Sequence, residues 1–345
     1  MENYLGILTG GGDCPGLNAV IRAVVRRAMQ EKIPVMGIHA GWQGLIEGDI
    51  KPLTRYSVAG IQYKGGTILG TSRCNPMEDE EGLQKIRENW KKYGLKSLIV
   101  VGGNGTLSGA LQMWQEQGYP IVGVPKTIDN DILGTDYTFG FDTAVSIATE
   151  AIDRLHTTAE SLHRVMVVEV MGRHTGWIAT QAGIAGGADI ILIPEKPFRI
   201  SQVCELLAQR KEMGRNFSIL VVAEDARPHP DEDYLTDEQR ERVYKEDRLG
   251  GIGGIVGRWI EERANLSTRV TVLGYIQRGG TPTAFDRVLA TRLGVHAVEM
   301  VLRGEFGKMA GVRGLDMVEV PLIDVANKAK PVNEELYRIA EIFFG

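Results

Sequence analysis

Cysteine is scarce, three in 345 residues, and Cys14, Cys74 and Cys204 are too scattered for a disulfide framework or a C-x-x-C zinc pair. Reduced thiols are expected. The six histidines (His39, His156, His163, His174, His229, His296) show neither H-x-H nor H-E-x-x-H spacing, so a histidine-held metal has no signature here. Long apolar runs are missing too. Stretches such as Ala188 to Pro194 fall far short of the roughly 20 residues that span a bilayer, and no membrane partner is expected. The opening residues Met1-Glu2-Asn3-Tyr4-Leu5-Gly6 lack the basic and apolar regions of a signal peptide, which makes the cytoplasm the expected compartment. The formal net charge is -5 with no long basic run, which argues against nucleic acid as the main partner. Any anionic ligand has to be met by local arginines. No low-complexity tract, Pro/Ser-rich linker or fixed-period repeat interrupts the chain.

What remains is an ordinary balance of 43% hydrophobic and 24% charged residues in a chain long enough for about two domains. Glycine is the exception. Its 43 residues far exceed the roughly 7% of average usage, and many follow short β-branched runs. Leu5 to Thr9 leads into Gly10-Gly11-Gly12, and Leu98 to Val101 leads into Gly102-Gly103-Asn104-Gly105. Further strands are expected at 35–38, 121–124, 165–170, 189–193, 217–223 and 268–273, alternating with helical patterns such as Ala19 to Met29. Strands that are apolar almost throughout and separated by helices mean mainly parallel sheets covered on both faces, an α/β doubly wound architecture. The charged stretch Asp225 to Arg248 reads as a solvated, loop-like excursion, and Val332 to Gly345 as an amphipathic helix.

The two glycine turns share the spacing G-x-G-x-x-x-G, through Gly10, Gly12, Gly16 and Gly103, Gly105, Gly109. Each connects a strand to a helix, the place where backbone amides and the positive helix end meet a phosphate, with Asn18 a candidate N-cap for the first helix. Neither turn is a P-loop, and both miss the dinucleotide fingerprint by one residue. A third segment, Pro125-Lys126-Thr127-Ile128-Asp129-Asn130-Asp131, follows the strand at 121–124. Two carboxylates beside a lysine and a threonine at a strand end suit a general base with phosphate or metal contacts. The plainer reading is an Asx-turn in which Asp129 or Asn130 satisfies its own backbone.

Taken together, Gly11-Gly12-Asp13-x-Pro15-Gly16-x-Asn18, Gly102-Gly103-x-Gly105-Thr106, Pro125 to Asp131, Met171-Gly172-Arg173 and Leu273-Gly274-Tyr275-Ile276-Gln277-Arg278-Gly279-Gly280 resemble the motifs of the phosphofructokinase family, in the family order and across most of the chain. The resemblance implies two Rossmann-like domains with the active site in the cleft between them: 1–140 plus 277–327 for the phosphoryl donor, 141–276 plus 328–345 for fructose 6-phosphate. It implies that Asp129 is the base for the sugar 1-hydroxyl, with Thr127, Asp131 and Arg173 beside it. Donor contacts fall on Gly12, Arg73, Cys74, Gly103, Asn104, Gly105, Thr106, Gly109 and Lys126. Sugar-phosphate contacts fall on Thr127, Asp129, Arg164, Met171, Gly172, Arg173, Glu224, Arg269, Tyr275 and Arg278. Arg164 and Arg269 reach across from a neighbouring subunit in the family, so a homotetramer is implied.

The donor signals are mixed. Gly105 is the ATP-like choice, because an aspartate there would crowd and repel the α-phosphate, whereas Lys126 is the pyrophosphate-like one. The steric veto outweighs the lysine, so ATP is the expected donor and pyrophosphate the alternative; a regulatory subunit without catalysis is the reading from another class. A different acceptor, such as sedoheptulose 7-phosphate, is also open. Mg²⁺ is the implied cofactor, with its protein ligand open because Asn104 replaces the usual acid. Arg22, Arg26, Arg55 and Tyr56 match part of the family's effector site, while His156, Met213 and Arg215 stand where its other basic residues would be, so effector control is expected to be reduced or absent.

Overall fold

The β-branched runs ahead of the glycine turns form strands buried on both faces, which is why they show no polar alternation. The computed structural model of the chain describes residues 3–244 and 249–345. Its strands are β1 (Tyr4–Thr9), β2 (Val35–Ile38), β3 (Ile50–Leu53), β4 (Leu95–Gly102), β5 (Ile121–Pro125), β6 (Val165–Val170), β7 (Ile190–Leu192), β8 (Ser218–Ala223), β9 (Thr268–Val272), β10 (Lys308–Arg313) and β11 (Asp316–Pro321). They fall into two compact units, Met1–Thr143 with Arg278–Ala329, and Ala144–Gln277 with Lys330–Gly345.

The first unit carries a seven-stranded sheet in the order β11-β10-β5-β4-β1-β2-β3. Its five inner strands are parallel, and β3 and β11 close the two edges antiparallel. The strand order reverses between β1 and β4, so the turns that leave these two strands open at a topological switch point, where open α/β sheets bind ligands. Leu8, Leu98, Val100 and Leu107 belong to one core cluster of this unit. Helices Leu17–Gln30 and Ala284–Arg303 pack closely, because a side chain at Gly294 would stand only 2.9 Å from Ala23 Cβ and from the Val20 carbonyl.

The second unit carries a four-stranded, wholly parallel sheet in the order β7-β8-β6-β9. β6 and β8 are neighbours, and both are buried along their whole length around a core that includes Val167, Leu220 and Val222. The loops that leave their carboxyl ends are therefore adjacent. β9 is an edge strand and exposes Arg269, Val270 and Val272.

Three expectations need correction or completion. Asn18 does not cap the first helix: Gly16, in the left-handed region at φ 104°, occupies the N-cap without a side-chain bond. Instead, Asn18 donates to the carbonyls of Lys64 and Gly65 (both 3.2 Å) and accepts from Ile68 N (2.8 Å), pinning the 64–68 segment to the helix. The stretch from Asp225 is only partly loop, because a helical turn at Pro230–Glu232 and a helix at Asp237–Tyr244 form there, anchored by buried Leu235 and Val243. Its last residues, 245–248, lie outside the described residues. The strands β3, β10 and β11 were not among the expected ones. Near the chain end, helix Glu334–Glu341 is capped by Asn333 and fixed by the Tyr337 hydroxyl donating to Ile191 O at 2.8 Å. Among the described residues no helix is long and apolar enough to cross a membrane.

One buried charge ties the first unit together. Asp286, fully buried in the first turn of Ala284–Arg303, accepts from Thr143 N (2.8 Å) and from the Thr143 hydroxyl (2.5 Å). Burial, first, and the neighbouring Asp142 raise its pKa to about 6, against the opposing pull of those hydrogen bonds. The native state therefore holds a proton that the unfolded chain releases near pH 4, and native stability falls as pH rises from about 4 to about 6. Asp286→Asn, neutral and of the same shape, should lack that slope, so the urea midpoints of wild type and variant should diverge between pH 4.5 and 7. Asp286→Ala, which leaves the Thr143 amide buried without an acceptor, should lose about 2 kcal/mol or more at either pH.

Candidate active site

The two glycine turns are built around one side chain. Thr106 lies in the first turn of helix Asn104–Gln117, directly after β4. A Cβ on Gly10 would stand 2.8 Å from the Thr106 Oγ1 and Cγ2 atoms, and one on Gly102 would be closer still. Gly10 and Gly102 are thus glycines because the threonine fills their side-chain space. Gly10 N donates to Val101 O (2.9 Å), and Gly11 N donates to Ser72 O (3.0 Å). The Thr71 hydroxyl donates to Gly11 O (2.5 Å), bringing the exposed Arg73 beside the first turn. Gly12 is covered by Arg278, whose Nη1 would be 2.7 Å from a Cβ at that position and donates to Asp13 O (3.2 Å).

Gly105 differs from these glycines. It is exposed, and nothing lies within 4 Å of the position its Cβ would take. The helix it opens starts at Gly103 with no side-chain cap, as does the helix after the first turn, so the leading amides of both are not met by a capping side chain. Asn104 donates from Nδ2 to Asp131 Oδ2 (2.9 Å), while its amide oxygen is buried and accepts no hydrogen bond among the described residues.

Directly after β5, the segment Lys126 to Asp131 is buried throughout. Lys126 N donates to Gly102 O (2.9 Å), locking this segment to the second glycine turn. Its Nζ donates to the Gly12 carbonyl, and burial lowers its pKa from the usual lysine range. The Asx-turn expected of Asn130 does not form. Thr127 Oγ1 accepts from Asp129 N (3.0 Å), and it donates to Asp129 Oδ2 (3.2 Å). Asn130, in the left-handed region at φ 50°, instead bonds outward to Asp136 O (3.3 Å) and Thr138 N (3.0 Å).

In the second unit the loop after β6 turns sharply at Met171 to Gly176. A Cβ on Gly172 would collide with the Thr175 carbonyl, and Arg173 takes the left-handed φ of 53°. Glu224, at the end of β8, accepts from Arg173 N (2.8 Å) and Gly172 N (3.3 Å) through Oε1. Arg173 and Tyr275 are exposed and Arg164 is half-buried. Arg269 bonds to Thr268 O (2.6 Å), with Glu261 3.8 Å away.

The sequence matches the family profile described as Phosphofructokinase over residues 4–301. The chain belongs to the phosphofructokinase family. The chain is 53% identical over 99% of its length to a pyrophosphate–fructose 6-phosphate 1-phosphotransferase of Streptomyces coelicolor, covering 99% of that protein. It is 51% identical to an ATP-dependent 6-phosphofructokinase 3 of the same organism, with 98% of each covered. An ATP-dependent 6-phosphofructokinase of Mycobacterium leprae is 50% identical with 99% of each covered. Among solved structures, Pichia pastoris phosphofructokinase superposes with a TM-score of 0.81 at 35% identity; the match covers 99% of this chain but only 39% of that longer one. A pyrophosphate-dependent phosphofructokinase of Nitrosospira multiformis shares the fold, with a TM-score of 0.84 at 22% identity, covering 99% and 92% of the two chains.

In this phosphofructokinase the first unit gathers Gly12, Arg73, Gly103, Asn104, Gly105, Thr106, Lys126, Thr127, Asp129 and Asp131 around the ends of β1, β4 and β5, and Arg278 joins them on the first turn. The second unit gathers Met171, Gly172, Arg173 and Glu224 at the ends of β6 and β8, while Arg164 and Arg269 start the parallel neighbours β6 and β9 at the other end of the sheet. Gly109 and Cys74 sit in packing environments: a Cβ on Gly109 would be 2.9 Å from Pro76 Cδ, and Cys74 packs on the core with its pKa raised by burial. His156 is occupied by the Gly186 carbonyl at 2.6 Å, whereas Arg26, Arg55 and Tyr56 are exposed. Thr71, Ser72, His174 and Asp225 were missed by sequence reasoning. Their bonds join segments about 30 to 60 residues apart and leave no local spacing.

The Thr106 wedge makes a testable demand. Gly102→Ala brings two Cβ atoms into collision, so it should cost about 1–3 kcal/mol. The donor KM should rise alongside, as thermal melts and donor titrations would show. Unaltered melting and KM would mean that the turn yields freely.

Proposed function

We propose that this phosphofructokinase transfers the γ-phosphoryl group of ATP to the 1-hydroxyl of fructose 6-phosphate, giving fructose 1,6-bisphosphate and ADP. The carrying observation is the empty space beside Gly105 in the uncapped first turn of Asn104–Gln117, which leaves room for an α-phosphate and the nucleoside attached to it. Asp129 takes the hydroxyl proton as the sugar oxygen bonds to the γ-phosphorus and the bond to the β-phosphate oxygen breaks. Thr127, hydrogen-bonded to Asp129 Oδ2, orients that carboxylate. Because this transfer needs positioning and positive charge more than covalent chemistry, Arg73 and Arg173 stabilise the phosphoryl group. Arg278 and Tyr275 serve the sugar 6-phosphate, whose oxygens suit a guanidinium fork.

The donor set fits magnesium. The buried, unbonded amide oxygen of Asn104 beside Asp131 offers the oxygen ligands that this ion prefers, and no cluster of three or more His, Cys, Asp or Glu among the described residues competes as a stand-alone site. Magnesium, when bound, neutralises charge on the donor phosphates. The edge strand β9, exposing Val270 and Val272, together with Ile276 beyond it, supports self-association, with Arg164 and Arg269 offered to a neighbouring copy. Sedimentation of the purified protein as a monomer would remove that part of the reading.

Pyrophosphate is the second reading, favoured by Lys126 held at the first glycine turn. Gly105→Asp separates the two. The position is open and lies near a helix N-terminus, where an acidic side chain is well placed, so the variant should melt at or slightly above the wild-type temperature. ATP turnover should fall about 100-fold through repulsion of the α-phosphate, with no loss of any pyrophosphate turnover. Wild-type protein without ATP turnover would sink the ATP reading, and undiminished ATP turnover in the variant would sink the role given to the space beside Gly105. Asp129→Asn should lower kcat about 1,000-fold with either donor while leaving KM nearly unchanged, as expected for loss of a general base.

A further inference from the structure

The turn that presents Arg173 is held in a conformation it would not choose. For a residue with a Cβ, the left-handed region costs roughly 1–2 kcal/mol, and Arg173 occupies it at φ 53°. Such strain persists only where the surroundings over-determine it. Here three consecutive residues are tied to two. Glu224 takes the amides of Gly172 and Arg173, and the next residue, Asp225, takes His174, with Nδ1 to Oδ2 at 2.9 Å. Asp225 is 2% exposed, so its carboxylate is fixed, and Arg227 meets both of its oxygens at 3.1 and 3.2 Å. Arg227 in turn lies over the Tyr244 ring, 5.1 Å from its centre. The carboxylate only accepts, so His174 carries its proton on Nδ1. The turn closes on itself through Thr175, whose amide and hydroxyl both donate to Gly172 O (3.0 and 3.1 Å).

We propose that His174 and Asp225 form a positioning pair that fixes where the Arg173 guanidinium points, without touching either substrate. Glu224 holds the backbone on one side of Arg173, and the imidazole anchors the other, so the arginine swings only about its own side-chain torsions. Without the imidazole tie, the turn keeps its amide bonds but loses the restraint immediately after Arg173. The proposal rests on the reading that Arg173 stabilises the transferred phosphoryl group, because misplacing such a group by about 1 Å costs up to about 100-fold in rate.

The test is a double-variant cycle on kcat. Arg173→Ala should lower kcat about 100-fold; His174→Leu should lower it about tenfold, with both KM values within about twofold of wild type. The double variant should be no slower than Arg173→Ala alone, since there is then no guanidinium to misplace. His174→Asn, whose amide nitrogen can stand where Nδ1 stands, should recover to within about threefold of wild type, and His174→Gln, whose amide reaches further out, should not. Melting temperatures accompany every variant. If His174→Leu fails to fold, the Asn against Gln comparison carries the decision. An unchanged kcat for Arg173→Ala would overturn the reading of Arg173 itself. A normal loss for Arg173→Ala with multiplying losses in the double variant, or equal rates for the Asn and Gln variants, would overturn the positioning pair alone.

Discussion

The first unit depends on a contact with no room to spare. β1 and β4 run side by side and parallel, and the turns that leave them converge on the side chain of Thr106, which fills the space two glycines leave empty. Interiors are close-packed and resist added volume, so the separation of the two turns is set by a threonine's width rather than by loop preference. Lys126 then bonds its amide to the second turn and its ammonium to the first, which brings the segment carrying Thr127, Asp129 and Asp131 into the same frame. Three strand ends are held in one frame because each is fastened to another.

The parallel core was legible because it obeys a simple rule: strands covered on both faces are apolar almost throughout. β1, β4, β5, β6 and β8 declared themselves in this way. The antiparallel edges did not. β3 contains Pro52 and exposes two of its four residues, and β11 mixes exposed with half-buried positions, so neither presents an apolar run. β10 was missed although it is largely buried, since its glycine and flanking charges blur the pattern. Asn18 misled because a polar residue at a helix start usually caps it, yet here the backbone of Gly16 took that place and released the amide for a segment some 50 residues away.

The candidate site was legible as residue types and spacings, but not as roles. Glycine shows why. Gly10 and Gly102 yield space to Thr106, Gly109 to Pro76, Gly12 to Arg278, and Gly16 supplies a left-handed backbone angle, whereas Gly105 alone in this set faces open space. A letter in the sequence reports the missing side chain and never what stands in its place. The carboxylates show the same limit: Glu224 and Asp225 are adjacent in the chain, yet one grips backbone amides and the other an imidazole. Only the adjacency of β6 and β8 brings them to the Met171 to Gly176 turn.

The vacancy at Gly105 also bears on how such enzymes diverge. Two of the four glycine codons become aspartate codons by one base change, and at Gly102 or Gly109 the new side chain would first have to survive a clash with its own fold. At Gly105 it meets nothing. On the proposed reading, a lineage can cross from one phosphoryl donor to the other there without passing through an unstable ancestor.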